Sequence, residues 1–151
     1  MISLIQRVSS ARVIVQDQTI GQIGKGLLIL ICAEKGDDES VSEKLLDKIL
    51  KLRIFSDDQG KMNRSAQDVG AGLLIVSQFT LAADCSGGNR PSFGQAAEPQ
   101  EGRKLYEYFL TSARDRHPLV ESGRFGANMQ VHIVNDGPVT IPLRIQPQIP
   151  I

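Results

Sequence analysis

The first third of the chain alternates hydrophobic and polar positions in a way that predicts consecutive β-strands. Residues 2–8, 11–16, 19–23 and 27–33 each carry a run of aliphatic side chains, and glycines or polar residues separate the runs. Short alternating runs broken by turn residues are typical of paired strands. Residues 27–33 form the longest apolar run of the chain, which is far too short to span a bilayer.

Two later segments change to the spacing of an amphipathic helix. In residues 40–52 and 99–116, apolar side chains recur every three or four positions. Ser40 and Glu43 fit a capping box at the start of the first segment. Pro99 suits the first turn of the second segment. The pattern therefore predicts two helices that pack on the outside of a sheet.

A further apolar run, residues 73–76, predicts a strand that is covered on both faces and leads into polar residues. If the alternation continues, Ser77 and Phe79 lie on one face, and Gln78 and Thr80 on the other. A buried hydroxyl or amide group without a partner costs about 1–3 kcal/mol. Such a cluster at a strand end needs either internal hydrogen bonds or a ligand, and the spacing alone leaves both interpretations open.

A second polar segment separates two strand-like runs near the end of the chain, residues 129–134 and 139–145. Residues 135–137 are Asn, Asp and Gly, which tolerate positive φ, and Pro138 fixes its own φ and lacks a backbone donor. Only about 5–6% of X–Pro bonds in folded proteins are cis. The composition by itself therefore favours an ordinary trans hairpin connection.

Length, composition and charge limit the possible classes of protein. With 151 residues, 41% hydrophobic and 23% charged, we expect a single domain over residues 1–151. The 17 basic and 17 acidic residues balance, which argues against coating a duplex but not against holding one end of an RNA. The strand-like opening does not resemble a secretory signal, so we expect a cytoplasmic protein. The fold class predicted is α+β: an antiparallel or mixed sheet closing toward a barrel, with two outer helices.

The usual catalytic and metal-binding motifs are missing from the sequence. It has no nucleophile elbow, zinc-protease motif, phosphate-binding loop or cysteine–histidine cluster. His117 and His132 are interpreted as structural, and Cys32 and Cys85 as free thiols. A serine-hydrolase triad therefore has no evident base, and we expect neither a metal ion nor another cofactor.

Several motifs together resemble those of one enzyme family. Residues 77–81, SQFTL, and residues 135–140, NDGPVT, are similar to the two signature motifs of the D-aminoacyl-tRNA deacylases, formerly called D-tyrosyl-tRNA deacylases. Matching segments at residues 6–8, 24–28, 61–63, 90–93 and 123–129 extend the resemblance over nearly the whole chain. The resemblance implies hydrolysis of the ester bond of D-aminoacyl-tRNA, and of glycyl-tRNA, to free amino acid and tRNA.

The resemblance also implies a role for each matched residue. The positions implied to line the pocket for the terminal adenosine and the ester are Ser77, Gln78 and Thr80 as catalytic residues and Phe79, Gly102, Phe125 and Met129 as substrate-binding residues. Gly102 departs from the alanine that is usual in the family. An older view of the family makes its motif threonine, here Thr80, the nucleophile. We prefer a positioning role, because no base for Thr80 is visible and an aminoacyl ester is already activated.

In the family the Gly-Pro peptide is cis and projects into the active site of the partner subunit. Gly137 and Pro138 are therefore implied to exclude L-amino acids, with Arg7 bracing the loop, in a homodimer that binds aminoacyl-tRNA and no membrane. Two alternatives stay open: a nucleic-acid-associated binding protein without catalysis, and a related deacylase with relaxed chirality. The preferred amino acid and tRNA, and the role of residues 144–151, are not predicted.

Overall fold

The computed structural model describes residues 1–148 and contains a curved mixed sheet with helices on its outer side. The strands are β1 (Ile2–Val15), β2 (Gln18–Ile23), β3 (Gly26–Cys32), β4 (Phe55–Ser56), β5 (Met62–Arg64), β6 (Gly72–Ser77), β7 (Val120–Ser122) and β8 (Gln130–Arg144). The helices are α1 (Glu39–Lys51), α2 (Ala66–Val69) and α3 (Pro99–Arg116), and a 3₁₀ turn spans Phe79–Ala82. None of the helices in the described residues is long and apolar enough to cross a membrane.

The long strand β1 organises the sheet. Its first half pairs with β3 and its second half with β2, while β8 runs antiparallel along its other edge. The sheet continues from β3 to β6 and β7 through parallel pairs. It then curls back toward β2, where a Cβ placed on Gly21 would lie only 2.6 Å from the carbonyl oxygen of Ser122. The predicted mixed sheet that closes toward a barrel is confirmed.

Alternation along the central strands explains the two hydrophobic clusters. Ile29 and Ile75 face α1 and α3 and belong to the larger cluster. Leu28 and Leu74 point the opposite way and fill the inside of the curved sheet. All four side chains are fully buried, which is why β3 and β6 have continuous apolar sequences. This buried pair of strands is the rigid base from which the functional segments extend.

The helices agree with the predicted positions, and Pro99 lies in the first turn of α3 as predicted, but the predicted cap of α1 does not form. The bounds of α3 are those predicted, and α1 begins one residue early because the side chain of Asp38 caps it. The capping box predicted from Ser40 and Glu43 is therefore wrong. A capping box does form at α2, where Ser65 and Asp68 bond reciprocally. This four-residue helix was not predicted, because a single turn is too short to show apolar periodicity.

The hairpin predicted around Pro138 is also wrong. β8 continues from Gln130 to Arg144, because the runs on either side of residues 135–138 both pair with β1. The register leaves residues 136–139 looped out opposite Arg7, which is a bulge rather than a chain reversal. The peptide bond before Pro138 is cis, as the resemblance implied and contrary to the composition-based expectation.

The structure describes only part of the C-terminal segment, residues 144–151, whose role the sequence does not predict. The backbone N–H of Ile145 donates to the carbonyl oxygen of Met1 at 2.9 Å, so the tail at first stays attached to the start of β1. Residues 146–148 belong to neither a helix nor a strand. Residues 149–151, including Pro150, lie outside the described part of the chain.

Candidate active site

A cavity of about 490 Å³ opens where the carboxyl ends of β3 and β6 meet the first turn of α3. Ile31, Cys32 and Ser77 form its base. Two aromatic walls rise from this base. The wall on the β6 side carries Phe79 and Phe93, and the wall on the α3 side carries Gly102, Tyr106 and Phe125. A mainly apolar cavity of this size, with a few polar groups at its base, is typical of small-ligand sites.

The chain leaves the strand geometry directly after Ser77. The backbone N–H of Gln78 donates to the carbonyl oxygen of Ile31 at 2.8 Å, and the 3₁₀ turn then begins at Phe79. The predicted alternation of faces beyond Ser77 is therefore wrong, because the turn brings the next side chains out of the sheet. The ring of Phe79 is 57% exposed at the cavity mouth.

Thr80 has a hydrogen-bond partner but no neighbouring base. Its Oγ1 accepts a hydrogen bond from Nε2 of Gln78, and an amide N–H cannot take up a proton. His117 is buried and hydrogen-bonded to the carbonyl oxygen of Ala71, and His132 lies on β8 outside the cavity. Within residues 1–148, no group next to Thr80 could activate it as a nucleophile.

The two titratable groups in the deep part of the cavity are held neutral. Burial, followed by the negative charge of Glu34, raises the pKa of the Cys32 thiol from 9.0 to about 11. Burial also raises the pKa of Tyr106 to about 12, and its hydroxyl donates to the carbonyl oxygen of Ile75 at 2.9 Å. At neutral pH both side chains therefore act as uncharged walls. Cys32 matches the predicted buried free thiol, whereas Tyr106 was not recognised as a site residue.

The α3 wall brings together two of the predicted substrate-binding positions. The ring of Phe125 lies 5.8 Å from that of Tyr106, and a Cβ placed on Gly102 would lie 3.8 Å from Cζ of Phe125. The guanidinium group of Arg103 covers the Phe125 ring at 5.7 Å. Met129 does not line the cavity. Its sulfur instead accepts the backbone N–H of Arg124 at 3.5 Å, which supports the turn that carries Phe125.

The cavity also contains residues that were not identified from the sequence. Lys35 and Phe93 both line it, yet they are far apart in the sequence and no spacing connects them. Phe93 belongs to a segment that carried the family resemblance, and this was the only available signal. For Lys35 the sequence offered none.

The second signature segment is firmly held, but it lies elsewhere. Nε of Arg7 contacts the carbonyl oxygen of Asp136 at 3.2 Å and its carboxylate at 3.4 Å, and Nη1 donates to the carbonyl oxygen of Ile54 at 2.8 Å. Arg7 therefore contacts the loop that the resemblance implies it braces. Gly137 and Pro138 are exposed and do not line the cavity of their own chain. In residues 1–148, no group of three His, Cys, Asp or Glu residues is placed to hold a metal ion.

Comparison with known proteins connects these features to one family. The family model described as D-Tyr-tRNA(Tyr) deacylase matches residues 4–144. The chain belongs to the D-aminoacyl-tRNA deacylase family. A relative from Variovorax paradoxus named D-aminoacyl-tRNA deacylase is 66% identical, with 96% of this chain and 99% of the relative covered. Another, from Aromatoleum aromaticum, is 67% identical, with 97% of each chain covered.

Two solved structures share the deacylase fold. One is named c-Myc DNA Unwinding Element Binding Protein and is 40% identical, with a TM-score of 0.92 over 97% of this chain and 100% of that chain. The other is described as a probable eukaryotic D-amino acid tRNA deacylase and has a TM-score of 0.80. It covers 94% of this chain and 97% of its own, at 17% identity, so it supports the fold alone.

The relatives in this family are named as deacylases, which hydrolyse esters. In the structure of this chain, the predicted site residues lie in three places. Ser77, Phe79, Gly102 and Phe125 line the cavity, and Gln78 and Thr80 form a hydrogen-bonded pair beside it. Met129 lies behind the α3 wall, where it supports the neighbouring turn. The remaining predicted residues lie apart from the cavity: Arg7 on β1 contacts the loop of β8 that carries Gly137 and Pro138.

Proposed function

We propose that this deacylase hydrolyses the ester bond of D-aminoacyl-tRNA and holds the terminal adenosine and the ester in the cavity between β6 and α3. The observation that carries the proposal is that Ser77, Phe79, Gly102 and Phe125, all implied by the family motifs, line one cavity. Phe125 offers a flat apolar face on which the adenine can stack. The small Gly102 leaves room beside that face.

Hydrolysis at this site depends on positioning rather than on a protein nucleophile. The N–H groups of Phe79 and Thr80 begin the 3₁₀ turn and donate to no acceptor within residues 1–148. Such free donors at the start of a helical turn can stabilise the oxyanion that forms during ester hydrolysis. Gln78 uses its amide N–H on Thr80, which leaves its side-chain oxygen to accept a hydrogen bond from the ribose or from water. The 2′-hydroxyl of the RNA then orients the attacking water.

Chirality is selected by a second copy of the chain. We propose that Gly137 and Pro138 of one subunit close the cavity of the other, so that their backbone excludes the side chain of an L-amino acid. Two observations support this arrangement. Arg7 holds the loop in an exposed position, and the same strand exposes 40% of Ile133 and 55% of Val134. Glycine has no side chain to exclude, so glycyl-tRNA is a second substrate.

The test is hydrolysis of matched D-tyrosyl-, L-tyrosyl- and glycyl-tRNA by the wild type and by Gly137→Ala. A Cβ on Gly137 would lie 2.9 Å from Cγ2 of Val139 and 3.1 Å from Nη2 of Arg7, at a φ of +131°. We expect the wild type to hydrolyse the D-tyrosyl and glycyl esters only. The displaced loop should lower the D/L ratio by roughly tenfold or more, equivalent to about 1.4 kcal/mol.

Gly60→Ala is the matched control, because Gly60 also has positive φ but has open space around it. It should leave the D/L ratio unchanged. Efficient hydrolysis of L-tyrosyl-tRNA by the wild type would contradict the proposed filter and support a deacylase with relaxed chirality. A monomer in sedimentation experiments would contradict the contribution of a second subunit.

The second candidate function is binding to nucleic acid without catalysis. It is favoured by the name of the 40%-identical structure, c-Myc DNA Unwinding Element Binding Protein. The formal net charge of zero argues against it, because binding to a duplex depends mainly on neutralised phosphates. The same hydrolysis assay separates the two functions. Binding to DNA together with a lack of turnover on every aminoacyl ester would favour the second.

A further inference from the structure

Two residues that line the cavity, Lys35 and Phe93, are not used by the proposed function. Lys35 is exposed and is the only cationic side chain that lines the cavity in the described residues. It forms no ion pair within residues 1–148, whereas Arg7, Arg103 and Arg144 each have an acidic partner. Lys35 is therefore an available positive charge at a mainly apolar cavity.

Backbone pairing joins the segment that carries Lys35 to the segment that follows Phe93. The N–H of Lys35 donates to the carbonyl oxygen of Gln95 at 2.9 Å, and the N–H of Ala97 donates to the carbonyl oxygen of Ala33 at 3.0 Å. These bonds form a short antiparallel pairing between residues 33–35 and residues 95–97, which begins two residues after Phe93. Both residues therefore have a defined position before any ligand binds.

The ring of Phe93 is held from its other side as well. Asp84 and Ser92 exchange two backbone hydrogen bonds, of 2.7 and 2.9 Å, directly before Phe93. The ring then packs edge-on against Phe79, with 5.0 Å between the ring centres and 68° between the planes. Phe93 therefore presents a fixed aromatic surface at the mouth, next to the exposed ring of Phe79.

The negative charge of Glu98 limits where in the cavity a phosphate can bind. Glu98 also lines the cavity and carries the opposite charge. In the antiparallel pairing, position 35 faces position 95, and Glu98 lies three residues further along, about 10 Å away at the usual strand rise. A phosphate at the mouth is therefore favoured beside Lys35 and disfavoured beside Glu98.

A free cation next to an aromatic surface is the combination that binds single-stranded nucleic acid. The cavity contains two aromatic walls, and one adenine ring can stack on only one of them. The terminal adenosine of the proposed function occupies the wall with Phe125. This leaves the wall with Phe93 for the next part of the same RNA strand.

We propose that Lys35 and Phe93 form a subsite for the nucleotide that precedes the terminal adenosine. Lys35 binds the phosphate that links the two nucleosides, and Phe93 contacts the base of the preceding nucleotide. This inference rests on the proposed function, because it requires the terminal adenosine to occupy the neighbouring half of the cavity. The subsite accounts for binding of the RNA end by a protein without net charge.

The test compares three D-tyrosyl esters that differ only in the length of the RNA: adenosine, the dinucleotide cytidylyl-adenosine and full tRNA. With the wild type, kcat/KM should rise from adenosine to the dinucleotide. Lys35→Gln should lower kcat/KM roughly tenfold for the dinucleotide and the tRNA, because one charge-assisted contact is lost. It should leave the adenosine ester unchanged, and Lys35→Arg should retain most of the wild-type value.

Phe93→Leu should lower kcat/KM about fivefold for the dinucleotide and have no effect when an abasic residue replaces the cytidine, because only the base is stacked. Lys104→Gln is the control for charge, since Lys104 is an exposed cation near the start of α3 that does not line the cavity. Thermal unfolding of each variant verifies that the fold is intact.

Two results would overturn the subsite. An equal loss with the adenosine ester would place Lys35 in the adenosine pocket or in the fold, and an unchanged kcat/KM for the dinucleotide would remove Lys35 from binding altogether. Failure of the proposed function has a different signature. In that case, the wild type would hydrolyse none of the three esters.

Discussion

The two polar segments that interrupt predicted strands have very different surroundings. Residues 77–80 follow the buried strand β6, and Ser77 and Phe79 line a cavity of their own chain. Residues 136–139 loop out of β8 and expose Gly137 and Pro138, although Arg7 and Asn135 hold this loop with hydrogen bonds. The first segment therefore contributes directly to the cavity of its own chain. Gly137 and Pro138 of the second segment do not line that cavity. A braced but exposed loop of this kind points to a target in another molecule.

The two regions also differ in charge. The cavity keeps its deepest titratable groups, Cys32 and Tyr106, neutral by burial. The loop depends on the ionic contact between Arg7 and Asp136, in which the Arg7 side chain is only 13% exposed. A neutral cavity suits the binding of a base and an activated ester, while an ionic brace fixes the orientation of a backbone loop. Each of the following experiments changes one side of this comparison.

The largest effect is expected from restoring an active site with two defective subunits. Gly102→Phe should fill the cavity, and Gly137→Val should distort the loop, because its new side chain would collide with Val139 and Arg7. Each variant alone should hydrolyse D-tyrosyl-tRNA poorly, Gly102→Phe because the ester cannot enter the cavity and Gly137→Val because the collapsed loop no longer closes the cavity of the partner around the ester. Coexpression should restore about a quarter of the wild-type rate, because half of the random dimers are mixed and each mixed dimer has one intact site.

The control is an assay of the two purified variants immediately after mixing, before subunits exchange. It should give only the sum of the two low rates, and the rate should then rise with time as mixed dimers form. If the rate of the coexpressed sample never exceeds that sum, the loop of one subunit does not complete the cavity of another.

The next effect is a fall in the free energy of unfolding at high pH, caused by the buried thiol of Cys32 in the cavity. The pKa of Cys32 in the folded protein, about 11, lies above its ordinary value of 9.0. The unfolded chain therefore loses the thiol proton first as pH rises, so the stabilisation is complete below about pH 9 and is lost toward about pH 11. The loss in free energy of unfolding should reach at most about 3 kcal/mol.

Urea unfolding from about pH 8 to about pH 11 measures this dependence. Cys32→Ala should fall less steeply with pH than the wild type, whatever its stability at neutral pH. Cys85→Ala is the matched control, because Cys85 is exposed, and it should follow the wild type. Parallel curves for the wild type and Cys32→Ala would show that the cavity does not hold this thiol neutral.

A smaller effect is expected when the hydroxyl beside the cavity is removed. Thr80→Ala should retain at least about a tenth of the wild-type kcat, because Thr80 has only the amide of Gln78 as a partner and no base. Single-turnover hydrolysis of D-tyrosyl-tRNA measures the rate, and a filter-binding assay measures affinity separately. Thr80→Ser, which retains the hydroxyl, is the conservative control. Complete loss of turnover in Thr80→Ala with binding intact would restore the nucleophile model.

Local periodicity explains which elements could be predicted from the sequence. The strands β3 and β6 and the helices α1 and α3 occur within one or two residues of their predicted bounds, because their apolar spacing reflects burial directly. The continuity of β1 and β8 was missed. The β1–β8 register shifts twice, opposite Arg7 and between Val8 and Ser10. The first of these irregularities is flanked by Asn, Asp, Gly and Pro and so has the same composition as a hairpin turn.

The site could be predicted only as far as known motifs extended. Ser77, Phe79 and Phe125 were identified by resemblance, and the structure brings them to one cavity. Lys35 and Phe93 line one cavity because residues 33–35 pair with residues 95–97. Pairing between segments so distant in sequence has no local signal, which is why these two residues emerged only from the fold.

The smallest effect is expected at Gly102, where the resemblance to the family implies an alanine. Gly102 lies in the first turns of α3, where glycine costs about 0.5–1 kcal/mol relative to alanine. A Cβ there would lie 3.8 Å from Cζ of Phe125, an ordinary contact distance. Gly102→Ala should therefore raise the free energy of unfolding by about 0.5–1 kcal/mol without changing kcat.

Gly26→Ala provides the contrast, because a Cβ there would lie 2.0 Å from the carbonyl oxygen of Gly72 and should destabilise the protein strongly. Urea unfolding gives both values under the same conditions. If Gly102→Ala is stable but loses activity, the cavity needs the space that glycine leaves. The α3 wall then contacts the substrate more closely than the distances in the wild type indicate. If activity is retained, the glycine affects only the stability of the helix, as the ordinary contact distance to Phe125 predicts.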